Sequence, residues 1–299
     1  MCDDITIDFI CAGAAKSGTT AMHRFLRAHP QVYMPLKKEI HHFADDLLKP
    51  DDYWLQPKAF WPLYRQAKAG RILGETSVFY MISEKAARNI YAHNPDTKII
   101  IMLRNPAEAV YSLHSQLVFN GEENIRDFRA ALKAENERKA GNNLPATRII
   151  KKHFYTETFK YAKQVKRFLD VFPREQVHII QFEDFKNKLP ETIENVYAFL
   201  NIDKDFKPEL KQHNANKTVR SRSVQKLTDR FSHKILARFL APDTTEAFRE
   251  YMLQLNSKEQ AGKPLPPSLK QELQKTFKPD ILALEDLIKR DLSCWYKGD

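Results

Sequence analysis

Residues 13–20 (GAAKSGTT) combine two glycines, a lysine and three hydroxyl side chains, directly after the apolar run 9–12 (FICA). The residues that follow have helical spacing, so the pattern predicts a strand, a glycine loop and the N-terminus of a helix. The backbone N–H groups of such a loop and helix end form a cradle for a phosphate. In the Mg-nucleotide pattern G-x-x-x-x-G-K-[ST] the lysine directly follows the second glycine. In this sequence Thr19 occupies that position, and Lys16 lies inside the loop. The sequence therefore predicts a phosphate site that differs from a Mg-nucleotide loop. We assign to it Ala15, Lys16, Ser17, Gly18, Thr19 and Thr20.

A second polar group follows the apolar run 98–103. Arg104 comes directly after this run, and Asn105 and Glu108 have the spacing of a helix capping box. Ser112 follows about two helical turns after Arg104. An arginine and a hydroxyl at the carboxyl end of a strand can bind a second phosphate group. The alternative is that Arg104 makes only a structural salt bridge.

Four apolar runs predict buried strands, at 7–12, 72–75, 98–103 and 177–182. Continuous apolar runs are typical of parallel strands that are covered on both faces. Because helical patterns separate them, the sequence predicts an α/β fold, with a mainly parallel, P-loop-like sheet flanked by helices on both faces. Two stretches, 30–61 and 212–224, are predicted to be irregular.

One domain over residues 1–299 is predicted, because no stretch has the composition of a linker. A C-terminal helical section, about 264–299, is expected to pack on it through the apolar positions of 268–289. No apolar run reaches the length of a membrane span. The N-terminus lacks the basic and apolar regions of a signal peptide, and the three cysteines are widely spaced, so we expect a cytoplasmic protein without disulfides.

The net charge of +10 has two interpretations. It can simply keep the surface soluble, or it can attract an anionic ligand or acceptor. Nucleic acid is not the expected partner, because no helix-turn-helix, zinc or RNA-binding motif is present, and a basic nucleic-acid-binding protein is kept as an alternative.

Several segments resemble signatures of the PAPS-dependent sulfotransferase superfamily, in its bacterial and glycan-type branch. The two nucleotide signatures are AKSGTT (15–20) and LRNPxxxxYS (103–112). Further similar segments are PLKKEIHHF (35–43), GETS (74–77), FPREQV (172–177), EDF (183–185), the basic stretch 214–223 and DLSxW (291–295). The resemblance covers nearly the whole chain. Golgi-resident glycan enzymes carry a signal anchor and usually a disulfide, and neither is recognised in this sequence, so the resemblance favours a bacterial-type enzyme.

The resemblance implies the donor 3′-phosphoadenosine 5′-phosphosulfate, with 3′,5′-adenosine bisphosphate as product. The glycine loop would bind the 5′-phosphosulfate, and Arg104 and Ser112 the 3′-phosphate. A late basic loop is expected to close over the same nucleotide through Lys217, Arg220 and Arg222.

Sulfuryl transfer is an in-line displacement, in which the acceptor oxygen attacks sulfur and the 5′-phosphate leaves. Lys16 and the loop N–H groups would stabilise the charge on the leaving oxygen. We predict Glu39 as general base, with His41 behind it. Nearby lysines would lower the pKa of Glu39 and burial would raise it, and the sequence leaves this balance open. Possible acceptor contacts are His42, Glu75 and Ser77.

Several alternatives remain open at this level. No γ-phosphate needs neutralising, so no metal is expected, whereas a P-loop kinase or NTPase would need Mg²⁺. Glu39 could instead form a salt bridge with Lys38 or Lys16. A carbohydrate hydroxyl, including that of an acidic glycan, is the favoured acceptor, and a small-molecule, lipid or polyketide-type hydroxyl is the alternative. The oligomeric state is not predicted.

Overall fold

A five-stranded sheet lies at the centre of the computed structural model, which describes residues 5–208, 217–219, 257–259 and 264–297. The strands are β1 (Phe9–Gly13), β2 (Val32–Tyr33), β3 (Ile72–Thr76), β4 (Lys98–Leu103) and β5 (Val177–Gln181). Their order is β2-β3-β1-β4-β5, and all four pairings are parallel. The carboxyl ends therefore meet at one edge, which is where open α/β sheets bind their ligands.

The central strand β1 is buried on both faces, as its continuous apolar sequence predicts. Phe9 and Cys11 belong to one apolar cluster, and Ile10 and Ala12 belong to a second cluster on the opposite face. This alternation follows from the two-residue period of a strand.

Helices cover both faces of this sheet. They are α1 (Thr19–Ala28), α2 (Pro57–Phe60), α3 (Ala86–His93), α4 (Pro106–Asn120), α5 (Phe128–Lys133), α6 (Glu135–Lys139), α7 (Tyr155–Thr158), α8 (Tyr161–Leu169), α9 (Phe182–Asn187), α10 (Leu189–Leu200) and α11 (Pro267–Ile288). Residues of α1, α9 and α10 pack on one face, and residues of α3, α4, α8 and α11 pack on the other. The predicted α/β architecture is confirmed. Among the described helices, none has the length and apolar character needed to cross a membrane.

The bounds of the C-terminal helix α11 differ by one residue at each end from those of the predicted segment 268–289. It packs against α4 and α8, and Leu269, Leu273, Phe277 and Leu284 are buried in the same apolar cluster as Ile10 of β1. Its apolar stripe therefore contributes to the core around the sheet.

The prediction of irregular structure was wrong within both stretches, and the first of them also contains α2 (Pro57–Phe60). β2 lies within the stretch 30–61, where two residues are too few to produce a recognisable periodic pattern, and it pairs with β3. A sixth strand, β6 (Lys217–Val219), lies within the stretch 212–224 and pairs antiparallel with β7 (Ser257–Glu259). This pairing depends on a distant segment, which local sequence cannot reveal. The predicted bounds of β4 are correct, and those of the other strands differ by one or two residues.

Candidate active site

The loop between β1 and α1 ends in a turn that requires glycine. Gly18 has φ +88°, and a Cβ there would approach the ring of Phe185 to 3.1 Å. Gly18 precedes α1 without forming a side-chain cap, so the first-turn N–H groups, including those of Thr19 and Thr20, are donors for an anion at the positive helix end. Three further residues of the loop are buried: Ala14, Ala15 and Ser17.

Lys16 is the charged residue of this loop, and its Nζ donates to Gln116 Oε1 of α4 at 3.0 Å. Burial, together with the positive charges of Lys38 and Arg104, lowers the pKa of Lys16 to about 8. Glu39 is the acidic neighbour that opposes this shift. Three cations thus surround the loop, and an anion bound there would relieve their mutual repulsion.

Arg104 joins the end of β4 to the loop, because its Nη1 donates to Lys16 O at 3.3 Å. Its Nε and Nη2 donate to Glu108 Oε2 at 3.3 and 2.8 Å, and its guanidinium lies 4.7 Å from the ring centre of Phe182. Asn105 Oδ1 accepts a backbone N–H in the first turn of α4 at 3.0 Å, as predicted. The reciprocal half of the predicted capping box is wrong, because the Glu108 carboxylate pairs with Arg104 instead.

Ser112 is half-buried on α4, one helical turn after Glu108 and one turn before Gln116. Residues four apart lie on the same side of a helix. Because Glu108 contacts Arg104 and Gln116 contacts Lys16, the position of Ser112 lies between these two contacts along α4. Gln116 was not predicted, although its spacing from Ser112 could have indicated it.

Glu39 lies beside the glycine loop. Lys38 Nζ is 2.8 Å from Glu39 Oε1 and donates to Thr20 Oγ1 at 2.9 Å, so this lysine connects the carboxylate to the start of α1. Glu39 Oε2 accepts from Val78 N at 3.0 Å. Glu39 N donates to Thr76 O at 2.9 Å, which ties this segment to the end of β3.

The open question about the acidity of Glu39 is answered by these contacts. Burial raises its pKa, but the positive charge of Lys38 and the hydrogen bond from its ammonium act in the opposite direction, and the pKa is lowered overall. The Glu39 carboxyl is therefore ionised at neutral pH. The predicted alternative of a Lys38–Glu39 ion pair is present in this structure.

His41 is buried directly behind Glu39. Its Nδ1 lies 2.8 Å from Glu39 O, so this nitrogen carries a proton and donates it, and its Nε2 lies 3.3 Å from Glu39 Oε2. Burial lowers the pKa of His41 despite the neighbouring carboxylate. Glu39 and His41 have φ +62° and +61°, a left-handed conformation that costs non-glycine residues about 1–3 kcal/mol each. Surrounding contacts must therefore hold this segment in place.

Glu75 and Ser77 support this segment from the end of β3. Ser77 Oγ donates to Glu75 Oε1 at 2.5 Å and accepts from His41 N at 2.9 Å. Both side chains are buried, and burial raises the pKa of Glu75 to about 8. The Glu75 carboxyl is therefore mostly protonated at neutral pH. Direct contact of Glu75 and Ser77 with an acceptor stays a prediction.

The structure does not bring His42 into this group. Its ring stacks on Phe60 with ring centres 4.1 Å apart, and its Nδ1 lies 2.8 Å from Trp54 O. Of the late basic loop, the backbone of Lys217 forms part of β6. Arg220 and Arg222 lie outside the described residues.

A family model described as a sulfotransferase domain matches residues 6–254. Among solved structures, a sulfotransferase from Alicyclobacillus acidocaldarius superposes with a TM-score of 0.73 at 30% identity, covering 98% of this chain and 100% of that chain.

Two curated relatives are heparan sulfate enzymes by name. The chain is 30% identical over 211 residues to heparan sulfate glucosamine 3-O-sulfotransferase 5 of Mus musculus, covering 69% of this chain and 55% of that protein. It is 26% identical over 289 residues to bifunctional heparan sulfate N-deacetylase/N-sulfotransferase 2 of Bos taurus, covering 89% of this chain and 31% of that protein. The chain thus spans about half the length of the first relative and about a third of the second.

Proposed function

Because the chain belongs to the sulfotransferase family, we propose that it transfers a sulfuryl group from 3′-phosphoadenosine 5′-phosphosulfate to an acceptor hydroxyl. The observation that carries this proposal is the position of the Glu39 carboxylate beside the glycine loop. Lys38 Nζ lies 2.8 Å from that carboxylate and 2.9 Å from Thr20 Oγ1 at the start of α1. A proton acceptor therefore lies next to a helix end that attracts anions, as displacement at a bound sulfuryl group requires.

The residues around the loop fit a nucleotide with two separate phosphate groups. We propose that Lys16 and the uncapped first turn of α1 bind the 5′-phosphosulfate, and that Arg104 and Ser112 bind the 3′-phosphate. Arg104 contacts the loop at Lys16 O, so the two sites adjoin, and a guanidinium suits phosphate oxygens. For the late basic loop, the resemblance alone supports a role of Lys217, Arg220 and Arg222 in covering the nucleotide.

The donor supplies an activated sulfuryl group, and the chain supplies the charges that its transfer needs. Lys16 stabilises the negative charge on the leaving oxygen. Glu39, which is ionised at neutral pH, accepts the proton of the acceptor hydroxyl. His41 holds the backbone of Glu39 in place, because its Nδ1 donates to Glu39 O at 2.8 Å.

A carbohydrate hydroxyl, including that of an acidic glycan, is the acceptor that we propose. The curated relatives described above are named for heparan sulfate, and the net charge of +10 favours the approach of an anionic acceptor. Transfer to a small-molecule, lipid or polyketide-type hydroxyl is the other outcome that an acceptor screen would detect.

We propose a bacterial-type enzyme that acts in the cytoplasm as a single domain over residues 1–299. Both cysteines in the described ranges, Cys11 and Cys294, are free thiols, which supports a reducing compartment. The apolar side of α11 shares one buried cluster with β1, which supports a single domain.

Donor binding is tested by thermal unfolding with 3′,5′-adenosine bisphosphate in the presence of EDTA. We expect this nucleotide to raise the melting temperature without metal, because it binds only the folded protein. A flat response, with stabilisation by Mg-ATP instead, would favour a P-loop kinase or NTPase. Binding that falls steeply with salt and does not prefer the bisphosphate would favour a nucleic-acid-binding protein.

Transfer is tested by a screen of hydroxyl acceptors with a ³⁵S-labelled donor. With the acceptor that gains label as substrate, Glu39→Gln should lower kcat by about 10²–10⁴-fold while the affinity for the bisphosphate is retained. An unchanged kcat would remove Glu39 as the base. Lys16→Ala should lower kcat far more than it lowers the melting temperature, and equal rates would exclude Lys16 from the mechanism.

A further inference from the structure

Arg148 binds the backbone of residues 39 and 40. Its Nη1 donates to Glu39 O at 3.2 Å, and its Nη2 donates to Ile40 O at 2.7 Å. The other donors of this guanidinium form a two-point pair with Asp52, Nε to Oδ2 at 2.7 Å and Nη2 to Oδ1 at 2.9 Å. Arg148 thus connects two separate segments of the chain.

Asp52 is itself fixed in position. Its Oδ1 accepts from Trp54 N at 3.0 Å and caps the single helical turn Tyr53–Leu55. Burial raises the pKa of Asp52, but the hydrogen bonds from Arg148 and Trp54 lower it overall, so the carboxylate keeps its charge for the ion pair. The pair is only partly exposed, with 31% of the Arg148 side chain and 13% of the Asp52 side chain accessible. A two-point pair of this kind fixes the orientation of the guanidinium as well as its location.

The contacts of Arg148 fall where the backbone is strained. Glu39 and His41 have positive φ values, and Ile40 lies between them. Glu39 O accepts from both Arg148 and His41 Nδ1. The guanidinium binds two carbonyl oxygens of this segment, whereas the Glu39 carboxylate pairs with Lys38. Arg148 therefore fixes the direction in which the carboxylate points and leaves its oxygens for other partners.

We propose that Arg148, anchored by Asp52, is a positioning residue that keeps the Glu39 carboxylate aimed at the glycine loop. This inference rests on the proposed function, because it takes Glu39 to be the general base. A displacement of a reacting group by about 1 Å can cost about 10²-fold in rate. Loss of Arg148 should therefore lower kcat while donor binding, which depends on the loop and Arg104, is retained.

The test compares Arg148→Met with Arg148→Lys, using the acceptor found in the screen. We expect kcat to fall about 10- to 100-fold in Arg148→Met, with the KM for the donor and the affinity for the bisphosphate within about twofold of wild type. Arg148→Lys keeps the charge but replaces the forked guanidinium by a single donor nitrogen, so its kcat should lie between those of wild type and Arg148→Met. The matched control is Arg129→Met, which removes an exposed ion pair between α5 and Glu272 of α11 and should leave kcat unchanged.

A double variant separates positioning from a general loss of structure. If Arg148 acts through Glu39, adding Arg148→Met to Glu39→Gln should cost less than about twofold in kcat, because residues that act as one unit are not additive. If Arg148→Met lowers kcat by the same factor in wild type and in Glu39→Gln, the proposal is overturned. A folded Arg148→Met with kcat within twofold of wild type would also overturn it. If Arg148→Met does not fold, the comparison is made with Arg148→Lys and Asp52→Asn, each combined with Glu39→Gln.

These results separate the proposed function from the proposed role of Arg148. A fully active Glu39→Gln would refute the base role on which this inference rests. No binding of the bisphosphate to the wild type would refute the proposed donor. An inactive Glu39→Gln together with a normal Arg148→Met would refute only the role of Arg148.

Discussion

The depressed pKa of Lys16 predicts that binding of the donor product takes up a proton at alkaline pH. Burial and the charges of Lys38 and Arg104 lower this pKa to about 8 from an ordinary value of 10.5. A bound phosphate adds negative charge beside the ammonium and raises its pKa again. Binding of 3′,5′-adenosine bisphosphate must therefore protonate Lys16 wherever the free protein has lost that proton.

The size of this effect follows from the pKa of about 8. At pH 9 about a tenth of the free protein carries a charged Lys16, so binding should take up about 0.9 proton. At pH 7 about nine tenths carries the charge, so the uptake by Lys16 should fall to about 0.1 proton. The affinity should accordingly drop about tenfold between pH 7 and pH 9, which corresponds to about 1.4 kcal/mol. The ligand phosphates, whose second pKa is about 6, are fully ionised at pH 9 and do not contribute there.

The assay is isothermal titration calorimetry at pH 9 in buffers of different ionisation enthalpy, and it needs no acceptor. Lys16→Met should abolish the uptake. Lys163→Met is the matched control, because that side chain is 81% exposed, and it should keep the wild-type value. An uptake below about 0.2 proton in the wild type at pH 9 would refute the reasoning, because Lys16 would then be charged before the ligand arrives.

Three stability predictions follow from other described residues, each measured by urea unfolding. The pKa of Glu75 is about 8 in the folded protein against an ordinary 4.5, so the unfolding free energy of wild type should fall as pH rises between these values. Glu75→Gln should lack this loss and be more stable than wild type at pH 8 by more than about 1 kcal/mol, and equal pH slopes of the two proteins would contradict this. Arg138→Met leaves Glu123, only 1% exposed, without its 2.7 Å partner and should cost about 3–5 kcal/mol, and a loss below about 1 kcal/mol would contradict it. Gly18→Ala imposes φ +88° on a residue with a Cβ and should cost about 1 kcal/mol or more and weaken bisphosphate binding, whereas an unchanged midpoint would show that the turn relaxes without cost.

Much of the fold could be predicted because its signals are local. The buried strand β4 and the cap of α4 at Asn105 each depend on neighbouring residues, and both were found as expected. The family resemblance was confirmed for the same reason, since its motifs are contiguous. The edge strand β2 was missed because its existence depends on pairing with β3, in the register Val32 to Ile72 and Tyr33 to Leu73.

The electrostatics of the site could not be predicted, because they depend on distances between segments. The sequence placed lysines beside Glu39 but could not weigh their charge against burial. In the structure Lys38 Nζ lies 2.8 Å from the carboxylate, and the pKa of Glu39 is lowered overall in spite of burial. Glu108 shows the same effect, because its expected role in a local capping box is replaced by an ion pair with Arg104.

The strained backbone explains why the sequence could indicate Glu39 but not Arg148, which contacts its backbone. Lys16, Glu39 and His41 all adopt positive φ, although local preference at such positions favours glycine or asparagine. The chain keeps a chemically active side chain at each position, and the conformational cost must be offset by contacts from elsewhere. For Glu39 one such contact comes from Arg148, which is 109 residues away in the chain. It is made to a carbonyl oxygen, which every residue possesses, so no residue type at position 39 could have indicated it.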